Sequence, residues 1–242
     1  MEKTVFITGA TSGIGRATAE IFAQNGNKLI LCGRREKRLQ QLKKDLKSHA
    51  DIHYLTFDVR DKKAVFNQVE SLPKEFKNID VLINNAGNAH GLGAIHEGDM
   101  DDWDAMIDIN VKGLLYVSKA IVPGMVGRKS GHVINIGSVA GKEVYANGNV
   151  YCASKYAVDA LSIGMRLDLH SHNIKVSEIN PGAVDTEFSK VRFKGDEEKA
   201  DKVYEGFTPL TATDVAEVIF FVATRPPHVN IADTIVLSTD QA

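Results

Sequence analysis

The chain has 242 residues, 43% of them hydrophobic and 25% charged, with a formal net charge of −2 at pH 7. That length suffices for one well-buried core, and the balanced charge leaves no basic stripe for nucleic acid or an anionic membrane. No apolar run is long enough to cross a bilayer, and Cys32 and Cys152 lack metal-ligand spacing, so both read as free, packed thiols of a cytoplasmic protein.

The first apolar run, residues 4–7, reads as a strand, and helical spacing follows over 14–25. The pattern then repeats. Strands are predicted at 28–32, 53–57, 81–84, 132–136, 175–179 and 234–237, and helices at 36–49, 62–72, 103–126, 150–170 and 214–224. Continuously apolar strands alternating with helices of this length predict an α/β fold, a doubly wound parallel sheet of seven strands with helices on both faces. One domain over residues 1–242 is expected, since no repeat or linker interrupts the pattern. The Lys/Arg-rich residues 36–47 carry Leu39, Leu42 and Leu46 at helical spacing, so their charge reads as the solvated face of an amphipathic helix. Only 182–211 fits no element. An irregular insert of that size is expected to serve function, here as a substrate loop.

Between the first strand and the first helix lies Thr8-Gly9-Ala10-Thr11-Ser12-Gly13-Ile14-Gly15. Glycines at such a place let the backbone turn tightly and approach a pyrophosphate, whose charge rests on the helix N-terminal N–H groups. The spacing is Gly-x-x-x-Gly-x-Gly rather than the commoner Gly-x-Gly-x-x-Gly, so position in the chain carries the argument. The second strand ends Cys32-Gly33-Arg34-Arg35, with no acid to bind the ribose of NAD. Arg34 and Arg35 suit the 2′-phosphate of NADP, because a guanidinium fork matches phosphate oxygens; the alternative is that they merely open a solvated helix.

The helix predicted at 150–170 opens with Tyr151-Cys152-Ala153-Ser154-Lys155, which sets Tyr151 and Lys155 one turn apart on one face. A free phenol has a pKa near ~10, and an ammonium a few ångströms away favours the phenolate. Such a tyrosine is expected to trade protons with an alcohol or carbonyl. With six tyrosines in the chain, one Tyr-x-x-x-Lys pair arises readily by chance, so its company decides its weight. Ser138 supplies some, since a hydroxyl at the end of the fifth strand points into the crevice where open α/β sheets bind ligands. His90 and His96 read as loop residues, and no metal is expected.

These pieces resemble the short-chain dehydrogenase/reductase family over essentially the whole chain. The matching residues are Thr8-Gly9-x-x-x-Gly13-x-Gly15, Asp58-Val59, Asn84-Asn85-Ala86-Gly87, Asn110, Ser138, Tyr151-x-x-x-Lys155 and Pro181-Gly182. The resemblance implies a Rossmann-type fold in which Asp58 and Val59 hold the adenine and Asn85 contacts the adenosine ribose. It implies that Pro181, Gly182, Val184 and Thr186 line the nicotinamide. It also implies a tetrad: Tyr151 as general acid/base, Ser138 positioning the substrate oxygen, Lys155 binding the nicotinamide ribose and lowering the tyrosine pKa, and Asn110 holding a water in the proton relay. A homo-oligomer, a tetramer, acting on a small molecule is implied as well.

Residues 106–110, 123–126, 132–138 and above all 186–196 resemble the NADP-dependent 3-hydroxy acid dehydrogenases. Those oxidise serine, allo-threonine and related 3-hydroxy acids, and reduce aldehydes of the malonic semialdehyde type. The stretch between Pro181 and Thr186 is tighter than that pattern, and the C-terminus shorter. Arg192 is expected to bind the substrate carboxylate, which needs a charged partner in a partly dry pocket. Against this stand an ion pair from Arg192 to Asp196 or Glu187, and Lys190 and Lys194 as rival cations. A reductase of 3-oxoacyl thioesters, sugars or steroids would share the whole tetrad. A non-catalytic NADP-sensing regulator would be expected to lose Tyr151 or Lys155, and both are present.

Overall fold

The N-terminal apolar run forms β1 (Thr4–Thr8), a strand buried along its whole length. The computed structural model describes residues 2–241; Met1 and Ala242, the ends of the expected domain, lie outside the described residues. After β1 come β2 (Lys28–Gly33), β3 (Ile52–Thr56), β4 (Val81–Asn84), β5 (Gly131–Ile136) and β6 (Ile174–Pro181). Two short strands, β7 (Val184–Asp185) and β8 (Leu210–Thr211), pair only with each other, and β9 (Asp233–Val236) completes the main sheet. That sheet has seven strands in the order β3-β2-β1-β4-β5-β6-β9. Every pairing is parallel, so the doubly wound sheet is the one the alternating pattern predicts.

Successive side chains of a strand point to opposite faces, and here both faces are covered. Val5, Ile7, Leu29, Leu31 and Ile83 turn to one side, where they meet α1 (Gly13–Gln24), α2 (Glu36–Leu46) and, from the far end of the chain, residues 212–223. Phe6, Ile30, Leu82 and Val133 turn to the other and pack on α3 (Lys62–Glu70) and on a long helical stretch after β4. β1, β2 and β4 are therefore apolar along consecutive interior positions rather than at alternate ones. Cys32 and Cys152 are buried and free. Among the described residues no helix is long and apolar enough to cross a membrane.

Two expectations are corrected. The helix predicted over 103–126 is α4 (Met100–Ile107), a π-helical segment (Asp108–Gly113) and α5 (Leu114–Arg128). A π-turn leaves the apolar spacing on either side intact, so periodicity does not show it. The insert 182–211 is not irregular. After β7 it holds α7 (Glu187–Arg192) and α8 (Glu197–Lys202), numbered after the helix α6 (Asn149–Leu169), and it runs through β8 into α9 (Ala212–Ala223). Thr186 accepts a hydrogen bond from the Phe188 amide at 3.2 Å, and Asp196 accepts one from the Lys199 amide at 3.1 Å, so each short helix has a side-chain cap. Six-residue helices are too short for periodicity to reveal.

β6 carries a buried acid, Glu178, whose Oε1 has no hydrogen-bond partner. Beside it Lys142 Nζ binds Asp159 Oδ1 at 2.6 Å and Asp233 Oδ2 at 2.8 Å, so one ammonium serves three carboxylates. Burial pushes the Glu178 carboxyl from an ordinary 4.5 to about 7; Lys142 opposes the shift, and Asp159 and Asp233 add to it. Between those two pH values the unfolded chain releases a proton that the folded one keeps. Stability from this group is thus complete below the lower value and lost as pH rises through the window. The expected result is that Glu178→Gln gains thermal stability relative to wild type as pH rises from 5 to 8. A melting-temperature difference that stays constant across that range would contradict the assignment.

Candidate active site

Strand order reverses between β1 and β4, and a crevice opens at the carboxyl ends of these two strands. The turn after β1 is shaped to let a ligand approach its backbone. Gly9 and Gly13 have φ of +67° and +50°, which disfavours any side chain. A Cβ on Gly15 would strike the Gly9 carbonyl and the Asn85 amide. Ser12 makes no side-chain cap on α1, which leaves the first-turn N–H groups free to meet an anion. Thr11, Ser12 and Ile14 line the crevice with Gly9 and Gly13; Gly15 packs behind it.

The tip of β2 closes one end. Arg34 and Arg35 both line the crevice. Arg34 is 57% exposed and lies 3.7 Å from Asp58. Arg35 donates to Thr11 Oγ1 from Nε at 3.0 Å and from Nη2 at 2.9 Å, and to Ser12 Oγ at 2.7 Å. Asp58 and Val59 lie alongside, and hydrogen bonds from Arg60 hold the Asp58 carboxyl below its usual range against the opposing effect of burial. Asn85 donates from Nδ2 to the Thr8 carbonyl at 2.9 Å, and Pro181, Gly182, Val184 and Thr186 form the opposite wall.

At the inner end stand Ser138, Tyr151 and Lys155. Ser138 follows β5 and its amide donates to Asn180 Oδ1 at 2.8 Å, which fixes the backbone from β6. The Ser138 hydroxyl accepts from the Ala140 amide at 3.1 Å and lies close enough to the Tyr151 phenol to favour its charged form. Lys155 Nζ donates to the Ile136 carbonyl at 3.0 Å and sits 5.9 Å from the Tyr151 ring centre. Asn110 lies behind the crevice within the π-segment. Its Nδ2 donates to the Asn88 carbonyl at 2.8 Å and to Ser154 Oγ at 3.0 Å, and its Oδ1 accepts from the Asn88 amide at 2.9 Å.

The expected depression of the Tyr151 pKa is absent in this arrangement. Burial pushes the phenol well above its ordinary value, and the nearby Ser138 hydroxyl and the charge of Arg192 only partly oppose it. Burial also lowers the Lys155 ammonium to about 8, with Glu178 opposing. Desolvation therefore outweighs the attraction between the two groups, whose separation weakens it further.

Arg192 does not line the nucleotide crevice. It lines an adjoining pocket that shares Tyr151, with Tyr145, Gly91 and Trp103 near it. Its guanidinium carbon lies 5.6 Å from the centre of the Tyr151 ring; Nε donates to the Gly91 carbonyl at 3.2 Å and Nη2 to the Tyr145 hydroxyl at 2.9 Å. Neither rival ion pair forms: Glu187 binds Arg35 and Arg38, and Asp196 binds Lys199. The rival cations are engaged too, Lys190 with Glu197 and Lys194 with Asp99 and Asp102. Among the described residues Arg192 has no carboxylate partner. The sequence reading missed Arg38, Tyr145 and Asn180, as well as the anion Glu187 at the arginine cluster. No local spacing links Arg38 to Glu187, which are 149 positions apart.

Comparison with known proteins agrees with this geometry. The family described as "short chain dehydrogenase" matches residues 3–197. The NADP-dependent 3-hydroxy acid dehydrogenase YdfG of Salmonella typhi is 50% identical over 228 residues, 94% of this chain and 91% of that protein. Sulfoacetaldehyde reductase 2 of Chromohalobacter salexigens is 44% identical over 243 residues, 100% of this chain and 96% of its own. A solved structure of the closed form of serine dehydrogenase complexed with NADP+ superposes with a TM-score of 0.95 at 47% identity, covering 99% of this chain and 96% of the other. With the glycine turn, the Ser138, Tyr151 and Lys155 cluster and the parallel sheet all in place, the chain belongs to the short-chain dehydrogenase family.

Proposed function

We propose that this protein is an NADP-dependent dehydrogenase of small 3-hydroxy acids, of the serine, allo-threonine, 3-hydroxyisobutyrate or malonic semialdehyde type. The observation that carries this reading is the placement of Arg192. A guanidinium with no carboxylate partner among the described residues stands 5.6 Å from the centre of the ring that would exchange the proton, in a pocket adjoining the nucleotide crevice. A carboxylate brought there gains a charge-assisted partner, and its neighbouring hydroxyl carbon falls beside Tyr151.

The crevice fits a nucleotide with a 2′-phosphate on two counts: the turn after β1 has no room for side chains at Gly9 and Gly15, and the tip of β2 carries arginines instead of an acid. NADP, when bound, supplies or accepts the hydride. In this reading Gly9, Thr11, Ser12, Gly13 and Ile14 hold the pyrophosphate, Arg34 and Arg35 the 2′-phosphate, Asp58 and Val59 the adenine, and Asn85 the adenosine ribose. Lys155 takes the nicotinamide ribose, and Pro181, Gly182, Val184 and Thr186 flank the ring. Tyr151 exchanges a proton at the substrate oxygen, and Ser138 orients that oxygen through its hydroxyl. A buried phenol that holds its proton is suited to act as the acid in carbonyl reduction. Oxidation requires the phenolate, so a further positive charge close to Tyr151 must accompany that direction. Asn110, tied to Asn88 and Ser154, supports the relay from behind.

The assembly is read as a homo-oligomer, a tetramer, and the setting as cytoplasmic. Tyr156, Ile163 and Leu167 leave an apolar stripe exposed along α6, at spacings that keep them on one face of the helix.

Three outcomes test the function. Tyr151→Phe is expected to lower turnover by roughly 10²–10⁴-fold while the dissociation constant of NADP stays near that of wild type; retention of most of kcat would remove Tyr151 from the mechanism. Loss of both Arg34 and Arg35 is expected to cost at least about tenfold in kcat/KM with NADP and much less with NAD. Equal rates with the two nucleotides in the unmutated enzyme would contradict the phosphate assignment. On a panel of serine, allo-threonine, 3-hydroxyisobutyrate, secondary alcohols, a polyol, a 3-oxoacyl thioester and sulfoacetaldehyde, 3-hydroxy acids are expected to win. Arg192→Ala is expected to raise their KM by about 10-fold or more. Uncharged substrates winning by a wide margin would defeat the substrate class, whereas unchanged kinetics in Arg192→Ala would defeat only the residue.

A further inference from the structure

The nucleotide end of the crevice already contains an anion of the chain's own. Glu187 lines it, with Oε2 at 2.7 Å from Arg35 Nη1 and Oε1 at 2.7 Å from Arg38 Nη1. The hydrogen bond from Arg35 holds the Glu187 carboxyl below its usual range, so it is charged at neutral pH. Arg35 uses its Nε and Nη2 groups on Thr11 and Ser12 and an Nη1 group on Glu187, which leaves little of the fork free. A second anion finds one Nη1–H of Arg35 free and gains the rest of the fork only by displacing a partner, and two anions sharing one guanidinium repel. Glu187 is 43% exposed, which makes the contact exchangeable.

Position in the chain gives this contact a second consequence. Glu187 is the first residue of α7 and Arg192 is the last. The far end of the helix is tethered beside Tyr151, where the Gly91 amide donates to the Arg192 carbonyl at 2.8 Å and Arg192 Nη2 donates to the Tyr145 hydroxyl at 2.9 Å. One short helix thus spans from the arginine cluster to the pocket assigned to the substrate.

We propose that Glu187 is a built-in counter-anion of the 2′-phosphate subsite, a specificity-determining residue that competes with the phosphate for Arg35 and Arg38 and whose displacement loosens the start of α7. The proposal rests on the assignment of Arg34 and Arg35 to a 2′-phosphate. Competition means that the phosphate binds only the fraction of molecules in which Glu187 has let go, so apparent affinity is reduced by that fraction. By linkage, an anion that releases one tether of α7 alters the free energy of the other.

Two probes that lack a nicotinamide and do not reach the substrate pocket isolate the effect: adenosine 2′,5′-bisphosphate and 5′-AMP. Calorimetric titration of wild type and Glu187→Gln is expected to show the bisphosphate binding about three- to tenfold tighter in the variant, with 5′-AMP changed by less than about twofold. Hydrogen exchange at residues 187–192 is expected to quicken when wild type binds the bisphosphate, and to be already fast in the unliganded variant. An unchanged or weakened bisphosphate affinity in Glu187→Gln, or an equal gain for 5′-AMP, overturns the competition. Unchanged or slowed exchange in wild type overturns the coupling to α7. If wild type binds the bisphosphate no more tightly than 5′-AMP, the phosphate assignment of Arg34 and Arg35 fails and carries this proposal with it.

Discussion

The crevice depends on a knot of hydrogen bonds between the ends of β1 and β4. Thr8 Oγ1 accepts from the Asn85 and Ala86 amides, each at 2.9 Å, and Asn85 Nδ2 donates back to the Thr8 carbonyl at 2.9 Å. This knot sits where the strand order reverses, so helices leave on opposite faces and the two strand ends are not covered. It also explains the glycines. Asn85 lies where a Cβ of Gly9 or Gly15 would go, and the turn can bend back over the strand ends only without those side chains. Residues of the turn then line the crevice together with Arg34 and Arg35 at the tip of β2.

Desolvation sets the resting state of the inner end. Tyr151, Lys155 and Ser138 are all buried, and low dielectric disfavours the charged form of the first two. A sequence argument that counts only the charge of Lys155 takes the interaction as it would be in water and omits the desolvation. The lysine's ammonium is engaged by the Ile136 carbonyl at the end of β5. Burial therefore favours the protonated phenol at Tyr151 and weakens the ammonium of Lys155 beside it.

The segment from β7 to β8 is held on three sides of this site by side chains of very different origin. Glu187 joins the arginines after β2, Lys194 joins Asp99 and Asp102 at the start of α4, and Tyr204 donates to the Val184 carbonyl at 2.9 Å. The ion pairs are largely exposed, and each is worth little by itself. Arg192 and Tyr151 meet in the pocket beside this segment.

By itself the sequence determined the sheet, the place of the glycine turn and the interval that brings Tyr151 and Lys155 together with Ser138 in the crevice. Apolar runs, glycine spacing and the Tyr151 to Lys155 interval are local patterns, and local patterns survive in one dimension. Tertiary structure decided whatever depends on which distant groups share a dry volume. Asn110 could be named, but the π-segment that turns it toward Asn88 and Ser154 is invisible to periodicity. Arg34 and Arg35 could be assigned to a phosphate, yet the carboxylate that answers Arg35 comes from Glu187, 152 positions away. The sign of the Tyr151 shift, the raised pKa of Glu178 and the hydrogen bonds of Arg192 to Gly91 and Tyr145 follow from burial and from neighbours across the fold. Electrostatic energies depend on distance and dielectric, and only the folded chain sets either one.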